Sequence, residues 1–260
     1  MQVAVYVFQR LAARGGRRVS CISASGREAG CAVCGQNCWS RVIPPGAGTF
    51  QQCVKCGWIR RDGPYLPYHY DLGYFQGWLG SPGARAFNAG MAGRFLPPEP
   101  GRLLEVGAGM GFFLEAAAEL GWEVYGNDIS PEACNISLAK GVTNIRSGNF
   151  ETLGRSYKQG FFQAVAMIHV IEHLKEPVET ARECRRLLSD GGWLYLHTPD
   201  AAYFHDITWP HHVEEHRSFF TRKTMEVLAG NLGMDIVALE GFPELRELAV
   251  VFCNTGGNGR

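Results

Sequence analysis

The segment at residues 103–111 reads LLEVGAGMG, and it joins a short apolar strand to a glycine-rich loop. A loop of this kind, between a strand and a helix, lets the backbone approach a nucleotide-bearing ligand closely. Nicotinamide and flavin folds use the same device, but these glycines follow the spacing G-x-G-x-G, with the third one residue earlier than in the dinucleotide pattern. Glu105, which ends the strand, suits a cationic ligand better than a pyrophosphate. The segment therefore predicts a site for a nucleotide-bearing ligand with positive charge.

A second acid narrows the identity of that ligand. Asp128 closes the next predicted strand, 21 residues after Gly107, where a carboxylate can accept hydrogen bonds from both hydroxyls of a ribose. A glycine loop with two acids and no phosphate-binding lysine favours S-adenosylmethionine, which has a sulfonium, an ammonium and a ribose but no phosphate. The glycine spacing and Glu105 disfavour a nicotinamide oxidoreductase.

Outward from the glycine loop, short apolar runs alternate with helical segments from residue 101 to the end of the chain. This alternation is typical of an α/β fold with a parallel sheet. The pattern predicts about seven strands, at 102–106, 123–127, 144–147, 162–168, 193–198, 235–240 and 248–252. Helices are predicted at 112–120, from Pro131 towards Gly141, at 177–188 and at 221–231.

With these motifs in hand, residues 102–200 resemble the class I S-adenosylmethionine-dependent methyltransferases of the broad type 11/12 group. The matching segments are LLEVGAGMG at 103–111, YGNDIS at 125–130, HVIEHLKEP at 169–177 and WLYLHTPD at 193–200. The resemblance implies a Rossmann-like, seven-stranded methyltransferase sheet and methyl transfer from S-adenosylmethionine.

The resemblance also implies cofactor-binding residues. Glu105 would serve the methionine amino group, Asp128 would hold the ribose and Ile129 would pack on the adenine. The set that the resemblance implies is Glu105, Gly107, Gly109, Asp128, Ile129, Asn149 and Phe150. The sequence departs from the family pattern in two places. Asn149 and Phe150 stand where an acid often reaches the adenine amine, and Gln163 replaces a frequent aspartate of the fourth strand.

Four cysteines ahead of this domain predict a metal site. Cys31 and Cys34 form one C-x2-C pair, and Cys53 and Cys56 form another after eighteen residues. This spacing is that of a zinc ribbon, and four thiolates leave no open coordination position, so the zinc would be structural. Two unrelated pairs or two disulfides are the alternatives. A zinc ribbon before a tyrosine-rich segment and this core also resembles sugar and secondary-metabolite methyltransferases.

The composition divides the chain into four parts. Residues 1–30 form a basic leader or disordered tail, with five arginines and one acid, which could also be an organelle transit peptide. Residues 31–62 form the ribbon, 63–100 an aromatic-rich connector or lid, and 101–260 the S-adenosylmethionine-binding domain. No run of about 18 apolar residues is present, so no spanning helix is predicted, and a cytoplasmic location is expected unless the leader directs the chain to an organelle.

Histidines and one glutamate are the candidate catalytic groups. His169, Glu172 and His173 would share one helix face. Enzymes of ubiquinone synthesis and of RNA 2′-O-methylation carry E-x-x-E-H at the equivalent place and bind a divalent metal there. The resemblance therefore implies that these three residues could form a second metal site. His212 or His216 could join it. His216, which precedes the family's "yFt" sequence, is the other candidate catalytic residue beside His169.

Charge weighs on the choice of substrate. The chain has 25 basic and 25 acidic residues, and without the leader it is mildly acidic, which argues against bulk attraction to nucleic acid. A small-molecule acceptor is the leading prediction, with a sugar or a natural-product precursor as examples. The alternatives are an RNA methyltransferase that grips RNA with the ribbon, and a non-catalytic zinc-ribbon adaptor with a vestigial cofactor fold. The oligomeric state and the acceptor atom stay open.

Overall fold

The structure is a computed structural model of the 260-residue chain. It describes residues 30–42, 49–62, 73, 81–206 and 216–256. The predicted leader before Gly30, residues 63–72 and 74–80 of the aromatic-rich connector, and His212 lie outside the described residues. Among the helices of the described ranges, none combines the length and apolarity that a bilayer crossing requires.

The predicted ribbon forms a small antiparallel sheet that takes its fourth strand from a distant part of the chain. Its strands are β1 (Trp39–Val42), β2 (Thr49–Cys53), β3 (Ile59–Asp62) and β9 (Ser218–Phe219), in the order β1-β2-β3-β9. Trp39 and Trp58 are buried in the same apolar cluster as residues of the large domain. The ribbon therefore shares a strand and a core with that domain, which the local spacing of its cysteines does not predict.

The large domain contains the predicted seven-stranded sheet. Its strands are β4 (Arg102–Val106), β5 (Glu123–Asp128), β6 (Ile145–Ser147), β7 (Phe162–Ile168), β8 (Leu188–Pro199), β10 (Asp235–Phe242) and β11 (Glu247–Cys253). They lie in the order β6-β5-β4-β7-β8-β11-β10. The first five are parallel, and β11 runs antiparallel to both β8 and β10. The Rossmann-like sheet is thus confirmed.

Six α-helices pack on the sheet or connect its strands within the described residues: α1 (Pro82–Phe95), α2 (Phe112–Glu119), α3 (Pro131–Ala139), α4 (Phe150–Leu153), α5 (Pro177–Leu187) and α6 (Arg222–Leu232). Short 3-10 turns cover Gly154–Ser156, Ile171–His173 and Ala201–Tyr203. The predicted start of α3 is confirmed, because the Ser130 hydroxyl accepts a hydrogen bond from the Ala133 amide at 3.3 Å.

Helix α1 occupies part of the segment that the sequence predicts as a connector. Its glycines, Gly83, Gly90 and Gly93, lower the intrinsic helix propensity, which is why the segment reads as irregular. The helix is held by Ser81, which caps its first turn, and by the buried ring of Phe95. That ring stacks on Tyr195 of β8 with centroids 5.0 Å apart. Tertiary packing therefore outweighs weak local propensity here.

Candidate active site

A cavity of about 400 Å³ opens at the carboxyl ends of β4 and β7. Ligands of open α/β sheets bind at this edge. The first half of α1 covers one side, the glycine loop forms another, and Leu245 and Glu247, at the start of β11, close it. Of the residues predicted for the cofactor or for catalysis, Glu105, Gly107, Gly109 and His169 line this cavity.

The glycine loop adopts a backbone that side chains disfavour. Gly107, Gly109 and Gly111 have φ values of 69°, 51° and 74°, in the left-handed region that glycine tolerates. A Cβ on Gly107 would lie 2.4 Å from Cγ2 of Val170, whereas a Cβ on Gly109 would meet no atom within 4 Å. Gly107 is therefore required by close packing, and Gly109 leaves open space for a ligand.

Glu105 is a carboxylate in an apolar surrounding. Glu105 is only 4% exposed, and its Oε2 has no hydrogen-bond partner among the described residues. Burial, and then the charge of Asp128, raise the pKa of this carboxyl well above its ordinary value. A cationic group in the cavity would compensate the buried charge. The observation fits the ammonium or sulfonium of S-adenosylmethionine.

Asp128 is held by the glycine loop at the end of β5. Its two carboxylate oxygens accept backbone hydrogen bonds from Gly109 and Ser130, each at 2.8 Å. Burial raises the pKa of Asp128, although these amides act in the opposite direction. Each oxygen keeps a lone pair for a further donor such as a ribose hydroxyl. The next residue, Ile129, is 61% exposed, so an apolar side chain there is available to a ligand ring.

The structure gives Asn149, Phe150 and Gln163 local structural contacts. Asn149 caps α4, and its Oδ1 accepts from the Glu151 amide at 2.8 Å. Phe150 is buried in the main apolar cluster. Gln163 lies at the start of β7, where its Oε1 accepts from the Arg102 amide at 2.8 Å. None of these three lines the described cavity.

The histidines predicted for a second metal site separate into two groups. Side-chain atoms of Glu172, His173 and His216 lie within 4.8 Å of one another. His169 forms a different group, with His197 and Glu247. It contacts the first group through its Nδ1, which lies 3.4 Å from Oε1 of Glu172. The three residues predicted from local spacing therefore do not form one compact set.

His169 has a strained backbone and two carboxylate neighbours. Its φ is 53°, which is uncommon for a residue with a side chain. Burial lowers the pKa of its imidazole, but hydrogen bonds to Glu172 and Glu247 outweigh burial and raise it to about 10. Those contacts in turn lower the pKa of each carboxyl against the effect of burial.

His216 lies away from the cavity. Its residue is 2% exposed, and its ring lies 4.6 Å from that of His173. The His216 carbonyl accepts a hydrogen bond from Nε of Arg61 in the ribbon at 3.1 Å. It is not among the residues that line the described cavity.

The four predicted zinc ligands converge. Their sulfurs lie within 4.8 Å of one another, with Cys31 to Cys56 and Cys34 to Cys53 at 3.5 Å. These distances exceed a disulfide bond and approach the edge of about 3.8 Å that a tetrahedron with Zn–S bonds of about 2.3 Å would have. All four cysteines are free thiols, so the donor set fits a tetrahedral zinc ion.

Comparison with known proteins agrees with this architecture. A family model described as "Methyltransferase domain" matches residues 85–239. A protein of Xanthomonas oryzae pv. oryzae named ubiquinone biosynthesis O-methyltransferase is 29% identical over 170 residues, which are 59% of this chain and 64% of that protein. The protein of that name from Xanthomonas campestris pv. campestris is 32% identical over 150 residues, 54% of this chain and 55% of that protein. The chain thus spans less than two thirds of these relatives.

A solved structure shows the same fold. It is a SAM-dependent methyltransferase from Archaeoglobus fulgidus, 17% identical, with a TM-score of 0.57 over 71% of this chain and 100% of that one. The family model matches more than half of this chain. The protein therefore belongs to the methyltransferase domain family and has the class I Rossmann-like fold of S-adenosylmethionine-dependent methyltransferases.

Proposed function

We propose that the chain transfers a methyl group from S-adenosylmethionine to a small-molecule acceptor held in the cavity. The observation that carries this proposal is Glu105, a buried carboxylate beside the glycine loop with an oxygen that no described residue satisfies. Such a group costs stability unless a positive charge or donor meets it. The ammonium of the cofactor would supply both.

The proposed cofactor would lie along the glycine loop. Glu105 accepts from the methionine amino group, Gly109 leaves room for the ligand, and Asp128 accepts from the ribose hydroxyls. Ile129 covers the adenine. Asn149 and Phe150 would border the adenine only if the short helix α4 supplied a contact beyond its present capping and packing. Once bound, the cofactor supplies a methyl group on a sulfonium for in-line displacement, so the chain's part is to align the acceptor and exclude water.

The acceptor would enter between α1 and the residues around His169. Apolar side chains on this side of the cavity, such as Phe87 and Leu245, suit a compact and partly apolar molecule. The relatives are named for O-methyl transfer in ubiquinone biosynthesis, and we propose an oxygen acceptor on that likeness. Of the two predicted catalytic histidines, we assign contact with the acceptor to His169, because it lines the cavity, and a structural part to His216.

The ribbon is proposed to hold one structural zinc ion through Cys31, Cys34, Cys53 and Cys56. Two of its arginines already have partners within the chain. Arg60 donates to Oε1 of Gln51 at 2.8 Å and lies over the Trp39 ring at 4.1 Å. Arg61 lies over the ring of Phe50 at 4.6 Å. This use of the basic side chains disfavours the ribbon as an RNA grip and supports a small-molecule substrate.

Binding of S-adenosylhomocysteine tests the proposed function. We expect isothermal titration of the zinc-loaded chain to give one site per chain, because the product keeps the ammonium, ribose and adenine that the site recognises. The absence of measurable heat and of a shift in melting temperature would overturn the proposal and leave the adaptor function in its place.

Replacing His169 with asparagine tests its contact with the acceptor. Asparagine, like histidine, tolerates the left-handed backbone better than most residues with a side chain, so the loop should keep its conformation. We expect methyl transfer to small hydroxyl compounds, measured with a labelled methyl group, to fall by about 100-fold, the effect of misplacing an acceptor that the side chain aligns. An unchanged rate, with a melting temperature equal to that of the parent, would exclude the assignment.

A further inference from the structure

Three side chains from separate parts of the chain meet at the edge of the cavity. His169 follows β7, His197 lies in β8, and Glu247 begins β11. Nε2 of His169 lies 3.1 Å from Oε1 of Glu247, and Nε2 of His197 lies 2.8 Å from Oε2 of the same carboxylate. Both imidazoles thus direct the same ring nitrogen at one carboxylate.

The opposite nitrogen of each ring also lies near an oxygen. Nδ1 of His197 lies 2.8 Å from the hydroxyl of Tyr195. Nδ1 of His169 lies 3.4 Å from Oε1 of Glu172, and Oε2 of Glu172 accepts from Thr198 at 3.0 Å. Histidines that bind metals are oriented in this way, because a partner at one nitrogen fixes the tautomer and leaves the other nitrogen's lone pair for the ion.

The backbone holds these groups on a rigid part of the fold. The amide of His169 donates to the carbonyl of His197 at 2.8 Å, and in the register of β8 and β11 Glu247 lies opposite Pro199. His197 is fully buried, whereas His169 and Glu247 line the cavity. One side of the cluster is therefore fixed by the core, and the other side faces the space where the acceptor would lie.

We propose that His169, His197 and Glu247 bind one divalent transition-metal ion, with two imidazole nitrogens and one carboxylate as ligands. Ligands about 2.1 Å from an ion and at right angles to each other lie about 3 Å apart. Each Nε2 lies at about this distance from a different oxygen of Glu247, so the carboxylate would bind through both oxygens. Two imidazoles favour ions such as zinc, cobalt or iron(II) over magnesium or calcium, which prefer oxygen ligands. Three protein ligands leave open coordination positions.

This site differs from the two metal sites that the sequence suggests. It has no cysteine, and it uses His197 and Glu247 in place of Glu172 and His173. Its open positions face the cavity, so an acceptor hydroxyl could coordinate the ion and release its proton to water more readily. That consequence for the acceptor rests on the proposed methyl transfer, whereas binding of the ion does not.

Cobalt(II) provides a test that does not require turnover. The full chain, with its ribbon loaded by one equivalent of zinc, is titrated with cobalt(II) and followed by calorimetry and visible absorption. We expect one further equivalent to bind, with weak d–d bands and without the sulfur-to-cobalt charge-transfer bands that cysteine coordination would produce. Binding of no further cobalt, or binding with those sulfur bands, would overturn the proposal.

Three variants locate the ion. Glu247→Gln removes the carboxylate charge at constant shape, and we expect it to weaken cobalt binding by more than about 100-fold. Tyr195→Phe removes the hydroxyl beside Nδ1 of His197, and we expect it to weaken cobalt binding by about 10- to 100-fold. Glu240→Gln on the neighbouring strand β10 is the control and should bind cobalt like the parent, because Glu240 pairs with Arg94 and is not one of the three proposed ligands.

The folding of each variant is checked by its thermal melt, and Tyr195→Phe keeps the test decisive if Glu247→Gln does not fold. Parent-like cobalt affinity in both cluster variants would overturn the site. Titration of the parent with S-adenosylhomocysteine separates the two proposals: cobalt binding without cofactor binding overturns the methyl transfer alone, and cofactor binding without cobalt binding overturns the metal site alone.

Discussion

Replacing Glu105 with glutamine is expected to weaken the binding of S-adenosylhomocysteine by about 10- to 150-fold. A hydrogen bond to a charged group contributes about 1.5–3 kcal/mol, and glutamine keeps the shape of the side chain but loses its charge. Glu105 is buried and lines the cavity, so water would screen the lost attraction only weakly. Isothermal titration of the parent and the variant measures the ratio of the two dissociation constants.

The same replacement is expected to stabilise the ligand-free chain. Burial, together with Asp128, raises the pKa of Glu105 in the folded chain, so the folded state holds this proton more tightly than the unfolded state. The free energy of unfolding therefore falls as the pH rises from the ordinary carboxyl pKa towards the raised value. Glutamine does not titrate, so the variant should melt at a higher temperature than the parent at pH 8, and the two should converge at acid pH.

Glu119→Gln is the matched control for both measurements. Glu119 is exposed at the end of α2, and its replacement should change neither the dissociation constant nor the pH dependence of melting. The combination of weaker ligand binding and higher stability is specific to a buried carboxylate that binds a cationic ligand and has no such partner in the ligand-free chain. Unchanged affinity in Glu105→Gln would remove Glu105 from the cofactor site, and a lower melting temperature at pH 8 would show that its carboxylate is satisfied by other means.

Much of the fold can be predicted from the sequence because strands and helix caps are encoded by residues that are neighbours in the chain. Strand β4 and strand β7 are apolar runs of the predicted bounds, and Ser130 and Thr221 cap the helices that they were expected to start. The glycine loop also lies where its spacing predicts. Helix α1 could not be predicted in this way, because its glycines oppose a helix and the stabilising contact of Phe95 with Tyr195 spans 100 residues.

The residues of the candidate site come partly from one segment and partly from distant strands, so the sequence predicts the site only in part. Glu105 and the glycines adjoin one another in the chain, so their pattern can be read directly. Glu247 approaches His169 because β11 inserts antiparallel beside β8, and no spacing in the sequence encodes that register. His197 lies within an apolar strand and has no neighbouring ligand in the chain. A buried histidine and a glutamate in core strands were the available signals, and neither indicates its partner.

Removal of the ribbon's zinc is expected to disturb the catalytic domain as well as the ribbon. Structural zinc contributes about 10–16 kcal/mol to the folding of zinc-finger peptides. The ribbon is also joined to the large domain. The Cys56 carbonyl accepts from Thr224 of α6 at 3.0 Å, and β3 pairs with β9. The loss of stability should therefore extend from the four cysteines into the large domain.

A strong chelator, or Cys56→Ser, should lower the melting temperature by about 10 °C or more, since each kcal/mol corresponds to about 2–4 °C in a chain of this size. Emission from Trp39 and Trp58, which are 5% and 6% exposed, should shift to longer wavelength as water reaches them. Cys253→Ser, outside the ribbon, is the control and should leave both signals unchanged.

The link to the active site runs through the backbone. The Arg61 amide donates to the Arg217 carbonyl, and the Arg217 amide donates to the carbonyl of Glu172, both at 2.8 Å. Loss of zinc should therefore loosen the turn that positions Glu172 beside His169, and affinity for S-adenosylhomocysteine should fall together with the ribbon's tryptophan signal. A metal-free chain that melts at the parent temperature and binds the product equally well would show that the cysteines need no ion, because thiol packing alone would then hold β3 against β9.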